Sequence, residues 1–350
     1  MCRFSRFWRP EHVCRKWGNV DLCDRLLGDP VMLCKSKVYR VMANIEIRQA
    51  TGADYMNAVL RLKMNDVGMT RQQAEEFVSN AKAAGFDLSH LWAGFREDGS
   101  VSQAAMLVYQ PGRTLMLFAS APRLQREIQE LKQVVDTALD AYRDHSVAAM
   151  QALIDPGDSA NRVALEECGF KMMAVLRYMQ RLLPKSAPEP VVPRGVEIST
   201  WQDGCRDEFI QALNESYRDT QDCPQLHELR TVEDVLDCHL GAGEFNPELW
   251  TLVKIDGKPL GVLLLNFIPQ NNVVELVYLG LSPVARGRGI AAYLMKRGVW
   301  LCTRTGADAI TLAVDDENGP AKRLYRRFGF VPTARKTAMF RILDNPAESG

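Results

Sequence analysis

The chain has 350 residues, 47% of them hydrophobic and 25% charged, and its 43 basic residues balance its 43 acidic ones. This length and composition are typical of a globular protein of two domains. The zero net charge gives no support for binding to nucleic acid or to a membrane surface, and no apolar run approaches the roughly 20 residues of a membrane-spanning helix.

The first 41 residues differ from the rest of the chain. They hold nine basic and four acidic residues, and four of the nine cysteines, Cys2, Cys14, Cys23 and Cys34. These cysteines form no C-x-x-C pair, so the spacing does not favour a zinc site, and we expect no metal. The other cysteines are scattered singly, which is typical of a reducing cytoplasm.

Residues 42–48 read Met-Ala-Asn-Ile-Glu-Ile-Arg and begin the first regular pattern. Their alternation of apolar and polar side chains predicts a strand. We expect residues 1–41 to be a poorly ordered N-terminal extension, and we hypothesise that the working protein begins near Met42. The first domain is then predicted to span residues 42–183.

A proline-rich stretch follows that domain. Four prolines lie between Leu183 and Pro193. Closely spaced prolines favour an extended, semi-rigid linker, which we assign to residues 184–195. A second domain is predicted over residues 196–346.

The two domains share markers in the same order, which predicts an internal duplication. Leu91-Trp92 followed by Asp98-Gly99 recurs 158 residues later as Leu249-Trp250 followed by Asp256-Gly257. Each Asp-Gly pair predicts a two-residue type I′ hairpin turn between strands. Near the end of each half, Cys168-Gly169-Phe170 matches Phe328-Gly329-Phe330.

The second half carries a regular succession of strand and helix patterns. In chain order they are strand 196–200, helix 204–217, helix 231–240, strands 249–255, 258–267 and 272–281, helix 289–304, strand 308–314, helix 319–327 and strand 336–343. This order predicts an α+β fold in which helices flank a mixed central β-sheet.

A glycine loop, Arg286-Gly-Arg-Gly-Ile-Ala291, joins the third of these strands to a helix. Backbone N–H groups at such a helix start converge on one point, and the helix dipole favours an anion there. The loop lies too late in the chain for the dinucleotide fingerprint and lacks the G-K-[ST] of a Walker A loop. It predicts a phosphate or pyrophosphate site.

A second motif, Asn318-Gly-Pro-Ala-Lys-Arg-Leu-Tyr-Arg-Arg-Phe-Gly-Phe330, follows the next strand. Asn318 is a favoured helix N-cap, and Pro320 suits the first turn. Tyr325 then lies near the end of a short helix, which Gly329 can terminate.

Together the two motifs resemble the core of the GNAT superfamily of N-acetyltransferases. The loop matches that family's pyrophosphate motif [Q/R]-x-x-G-x-[G/A], and Asn318-x-x-Ala-x-x-Leu-Tyr-x-x-x-Gly-Phe330 matches its second block. The resemblance implies two tandem GNAT-like domains, in an arrangement like that of mycothiol synthases, whose substrate we do not carry over. It also implies acetyl transfer from acetyl-CoA to a primary amine by direct attack.

The resemblance further implies a cofactor site. The strand that ends at Leu281 is expected to splay from strand 308–314 and admit the pantetheine arm, with its backbone polarising the thioester carbonyl. Arg286 and Arg288 are expected to contact phosphate, although a solvated loop charge remains an alternative for Arg288. The implied cofactor-binding residues are Leu279, Gly280, Leu281, Arg286, Gly287, Arg288, Gly289, Ile290, Ala291, Ala292 and Asn318.

Two residues take catalytic roles in the resemblance. Tyr325 occupies the family's general-acid position, with core packing as the alternative. Glu275 is the candidate general base, since a carboxylate on an apolar strand needs a reason to be there; a solvated strand end or a structural pair are its alternatives. A water relay to an amine of lowered pKa would need no dedicated base.

The first half lacks this equipment. Aligned on Gly169-Phe170, its tyrosine position holds Leu165 and its asparagine position holds Asp158. The loop near residues 120–123 has no glycine. We therefore interpret residues 42–183 as a degenerate copy without the acetyl-CoA site.

The acceptor is expected to be a small-molecule or peptide amine near residues 217–227. Asp219, Asp222 and Glu228 could attract a cationic amine or form an acidic solvated loop, and His227 and His239 are predicted to be surface or capped residues. A non-catalytic acyl-CoA-binding sensor or interaction module is the alternative function. The sequence favours neither a monomer nor a homodimer.

Overall fold

The computed structural model describes residues 45–62, 70–83, 87–142, 145–224 and 230–343. The predicted extension 1–41, the proposed start at Met42 and the end of the predicted second domain, residues 344–346, lie outside the described residues.

The elements of the first half are helices and strands of the sheet. In chain order they are β1 (Glu46–Gln49), α1 (Ala53–Arg61), α2 (Arg71–Ala83), β2 (Leu91–Phe95), β3 (Val101–Gln110), β4 (Thr114–Ala119), α3 (Gln125–Asp140), β5 (Ala149–Ile154), α4 (Ser159–Glu167) and β6 (Lys171–Leu182).

The second half repeats this order. Its elements are β7 (Glu197–Thr200), α5 (Arg206–Tyr217), α6 (Val232–Leu240), β8 (Thr251–Ile255), β9 (Lys258–Ile268), β10 (Val273–Leu281), α7 (Ile290–Cys302), β11 (Ala309–Asp315), α8 (Gly319–Arg327) and β12 (Val331–Ile342). Every element predicted for this half is present within two residues of its predicted ends, except that β12 begins at Val331 rather than near 336.

Both halves contribute to one 12-stranded sheet, in the order β1-β2-β3-β4-β5-β12-β6-β11-β10-β9-β8-β7. The last strand of each half lies in the other half's part of the sheet. β6 pairs with β11, for example Met179 with Leu312, and β12 pairs with β5, for example Ala338 with Leu153. The two halves are therefore joined by backbone hydrogen bonds as well as by the linker.

The duplication extends to the parallel strand pair at which each half of the sheet opens. In each half a parallel pair is hydrogen bonded over only three residues: β4 with β5 from Thr114 to Met116, and β10 with β11 from Val273 to Glu275.

The hairpin turns of the two halves differ. Asp256 and Gly257 both have positive φ (49° and 72°), as a type I′ turn requires.

The turn predicted at Asp98-Gly99 is wrong as a two-residue turn. Phe95 pairs with Val101, and of the turn residues between them only Gly99 has a positive φ. Gly99 N donates to the carbonyl of Arg96, and Arg96 N donates to the carbonyl of Ser100. This closes a longer loop with glycine in the left-handed position.

The second half buries apolar side chains on both faces of its sheet. One core packs α7 and α8 against β10 and β11 and includes Leu294, Val299 and Ile310. The other packs α5 and α6 against β8 and β9 around Trp250, which is fully buried. With both faces covered, the gap between β10 and β11 is an opening into the fold.

Candidate active site

The gap between β10 and β11 is a cleft of about 460 Å³. The strands separate beyond the Glu275–Thr311 pair, and the ladder of β10 with β9 shifts register between Leu276 and Tyr278. Such a bulge bends a strand and turns its free edge, which here faces the cleft. The expected splay is present, and among the cleft residues are Leu279, Gly280, Leu281, Arg286, Gly287, Gly289, Ile290, Ala291, Ala292, Asn318 and Tyr325.

The glycine loop ends at the mouth of the cleft with free backbone donors. Gly287 and Gly289 have φ of 74° and 78°, a region that side chains disfavour. Gly289 is the N-cap of α7, which has no side-chain cap and no acidic residue in its first turn. Because the first helical bond runs from Tyr293 N to Gly289 O, the N–H groups of residues 290–292 precede the intrahelical ladder. This helix start can bind an anion.

The corresponding helix start in the first half carries a carboxylate of the chain itself. Glu127, in the first turn of α3, accepts hydrogen bonds from the backbone N–H groups of Arg123 (2.8 Å) and Leu124 (3.4 Å). A carboxylate of the chain itself thus lies at the start of α3, whereas the first turn of α7 holds no acidic residue. Leu165, at the tyrosine position, is fully buried, and Asp158 caps α4.

Arg286 makes contacts that the loop motif did not predict. Its guanidinium donates to the carbonyls of Leu281 (3.0 Å), Ser216 (3.1 Å), Arg218 (2.7 Å) and Asp219 (3.0 Å). Most of its donors are engaged at the end of α5, so Arg286 ties α5 to the glycine loop, and its phosphate contact stays a prediction. Arg288 is exposed, and its phosphate contact stays a prediction.

Tyr325 lies on α8 with its side chain buried against the cleft. Burial raises the pKa of its phenol, and the charges of Asp222 and Tyr278 raise it further. A phenol with a raised pKa stays protonated at neutral pH. The ring also packs on Phe330, at 5.8 Å between centroids, so core packing and cleft lining coexist.

Glu275 lies beside the cleft rather than in it. Its side chain is buried, so the solvated strand end is wrong. It lines a second cavity of about 100 Å³, together with Arg230, Cys238 and His239. This second cavity shares walls with the cleft at Asp222, Leu276, Val277, Tyr278 and Ala313.

Asp222 is the acidic residue that both cavities share. Its Oδ1 accepts a hydrogen bond from Asp315 N (3.1 Å), and the Asn318 amide donates another. Burial and the nearby Asp315 carboxylate raise the pKa of Asp222. It is therefore not part of an acidic solvated loop, whereas Asp219 is exposed at the cleft. Glu228 and His227 lie outside the described residues.

His239 is buried, so its predicted surface position is wrong. Burial lowers its pKa to about 3, and its ring stacks on Tyr278 at 5.6 Å. The Tyr278 phenol in turn hydrogen bonds with Ser216 Oγ (2.9 Å). The helical spacing of His239 from buried Leu236 is the signal that could have placed it on the inner face.

Asn318 has a structural account that the motif alone did not give. Its Oδ1 accepts from Ala321 N (3.1 Å) and caps α8, while its amide holds Asp222. In the described part of the chain no group of His, Cys, Asp and Glu side chains could hold a metal ion. None of the helices there has the length and apolar character to cross a membrane.

Comparisons with known proteins point to one kind of protein. Residues 207–330 match the Acetyltransferase (GNAT) family. A mycothiol acetyltransferase from Thermomonospora curvata is 29% identical over 287 residues, which cover 75% of this chain and 92% of that protein. A mycothiol acetyltransferase from Streptomyces bingchenggensis is 29% identical over 178 residues, covering 50% of this chain and about half (56%) of that protein.

The fold has a counterpart among solved structures. A GCN5-related N-acetyltransferase from Sphaerobacter thermophilus superposes with a TM-score of 0.55 at 22% identity, covering 85% of this chain and 95% of that one. At this identity the likeness concerns the fold.

Proposed function

From the premise that this chain belongs to the GNAT acetyltransferase family and is an acyltransferase, we propose that it transfers the acetyl group of acetyl-CoA to a primary amine. One observation carries the proposal: an uncapped helix start opens onto a cleft between splayed strands, and a buried tyrosine lines that same cleft. Acetyl-CoA supplies a thioester, whose acyl carbon an amine can attack.

The protein's groups fit the parts of acetyl-CoA in order. The N–H groups of Ile290, Ala291 and Ala292 bind the pyrophosphate at the positive end of α7. The free edge of β10 from Leu279 to Leu281 binds the pantetheine arm as an added strand would bind. An N–H group on this edge donates to the thioester oxygen and stabilises the negative charge that develops there.

Tyr325 is the general acid. As the amine nitrogen bonds to the acyl carbon and the carbon–sulfur bond breaks, the phenol donates its proton to the departing thiolate. Its raised pKa ensures that the proton is present at neutral pH. The phenolate regains a proton from solvent once the products leave.

The base must take a proton from the amine, and two carboxylates lie at or beside the wall that the cleft and the second cavity share. Glu275 lines the second cavity, and Asp222 lines both cavities. We assign the base to Glu275 and the binding of the incoming ammonium to Asp222. A Glu275→Gln variant is expected to lose the acidic limb of the pH profile of kcat/KM, whereas Asp222→Asn is expected to raise the KM of the amine.

The test is release of coenzyme A thiol from acetyl-CoA in the presence of a panel of amines. The panel begins with the amine acceptor of mycothiol acetyltransferases, since relatives carry that name, and extends to amino sugars, amino acids and peptides. Amine-dependent release supports the proposal. Tight acetyl-CoA binding with no release on any acceptor would favour a non-catalytic acyl-CoA-binding module.

A further inference from the structure

The first half touches the second at a specific turn. The loop between β3 and β4 carries Arg113, whose guanidinium binds Asp234 on α6 through three hydrogen bonds: Nε to Oδ1 (3.0 Å) and to Oδ2 (3.1 Å), and Nη2 to Oδ2 (2.9 Å). The Asp234 side chain is only 10% exposed. A paired fork of this kind fixes orientation as well as distance.

The backbones around this ion pair are in close contact. A Cβ on Gly112 would come well inside van der Waals contact with the carbonyl oxygen of Asp234, and a Cβ on Gly241 would do the same with Pro111. The turn and the helix therefore fit together only because both positions are glycine. Such a contact allows little sliding of α6 against the turn.

Three other residues of α6 form a wall of the second cavity. Val235, Cys238 and His239 line it, and Leu176, from strand β6 of the first half, closes another side. The buried amide of Asn266 donates to the carbonyl of His239 (2.7 Å) and so joins the end of α6 to β9. The helix that is bound by Arg113, α6, is thus also the helix that lines this cavity.

We propose that the first half of the chain is a positioning element for the acceptor site, and that Arg113 acts by holding α6 against the second cavity. This inference rests on the proposed function, in which two residues that line that cavity, Glu275 and Asp222, deprotonate and bind the amine. Arg113 touches neither cavity and is a positioning residue. The first half then has a role without an acetyl-CoA site of its own.

The test compares Arg113→Met with a matched control on the same helix. Arg206 also forms an ion pair with α6, at Asp237 (2.7 Å), but from within the second half and with both side chains more exposed. Two readouts are measured in the full chain: hydrogen exchange of peptides covering residues 232–240, and separate KM values for the amine and for acetyl-CoA.

Arg113→Met is expected to speed exchange in α6 and to raise the KM of the amine about three- to tenfold, with the KM of acetyl-CoA unchanged. Asp234→Asn should give the same effects, and combining the two changes should add little. Arg206→Met should alter neither readout.

Unchanged exchange in α6, or equal rises in both KM values, would overturn the inference. If no amine is a substrate, the proposed function fails, and the exchange experiment alone still decides whether the first half holds α6.

Discussion

Gly289 is the position where the anion site can be tested most cleanly, because an added side chain there would contact no other part of the fold. Its φ is 78°, and a Cβ added there would meet no atom within 4 Å. Gly289→Ala therefore strains the backbone without a steric clash. The expected cost in the free energy of unfolding is about 1 kcal/mol.

The expected cost in acetyl-CoA affinity is larger. To relieve the strain, the loop turns towards negative φ and rotates the N–H groups that begin α7 away from the pyrophosphate. Losing one hydrogen bond to a charged group costs about 1.5–3 kcal/mol. The dissociation constant of acetyl-CoA should therefore rise about ten- to a hundredfold.

Gly306 supplies the matched control. It has the same φ of 78° and also has no atom within 4 Å of an added Cβ, but it lies between α7 and β11 and lines neither cavity. Calorimetric titration with acetyl-CoA, alongside urea unfolding, should show equal destabilisation in Gly306→Ala and Gly289→Ala but weaker binding in Gly289→Ala alone. Equal affinities in the two variants would refute the reasoning.

Three further predictions concern stability. Burial lowers the pKa of His239 to about 3, so below about pH 6.5 the unfolded chain takes up a proton that the folded chain does not, and the free energy of unfolding should fall by up to about 1.4 kcal/mol per pH unit. In urea unfolding at pH 7, 6 and 5, His239→Gln should lose this pH dependence. The same slope of unfolding free energy against pH in His239→Gln and wild type would contradict the prediction. A hydrogen bond from Arg177 lowers the pKa of Asp316 to about 2, so the stabilisation that the Asp316 carboxylate gives is present above about pH 4 and lost as the pH falls through about 2. The free energies of unfolding of Asp316→Asn and wild type should therefore converge near pH 2. A difference between them that stays constant with pH would count against this prediction. Asn266→Ala should lower the free energy of unfolding by about 3 kcal/mol or more, because it strands Trp250 Nε1 and two backbone carbonyls in the core, and a loss below about 1 kcal/mol in thermal or urea unfolding would be incompatible with this.

Much of the second half could be predicted from local patterns. The period of apolar residues, the Asp256-Gly257 turn and the Asn318 cap depend only on residues close together in the sequence. The observed elements lie where these local signals predicted them. The start of β12 was missed because Val331 and Pro332 carry no clear alternation; their pairing with β6 supplies the strand.

Strand exchange between the halves had no local signal. A strand's alternation fixes which face each side chain meets but not which strand lies beside it. The Ala338–Leu153 pairing joins residues 185 positions apart, and nothing in either segment distinguishes it from pairing within one half. The engagement of Arg286 by α5 and the burial of His239 depend in the same way on distant elements.

The central claim is that Tyr325 completes an acetyl-transfer site in the second half. The direct measurement is amine-dependent thiol release by wild type and Tyr325→Phe, with the acetyl-CoA dissociation constant measured for both. The phenylalanine ring keeps the packing on Phe330 and loses only the proton donor. Turnover should fall about a hundred- to ten-thousandfold while acetyl-CoA affinity stays the same. Undiminished turnover in Tyr325→Phe would contradict the account.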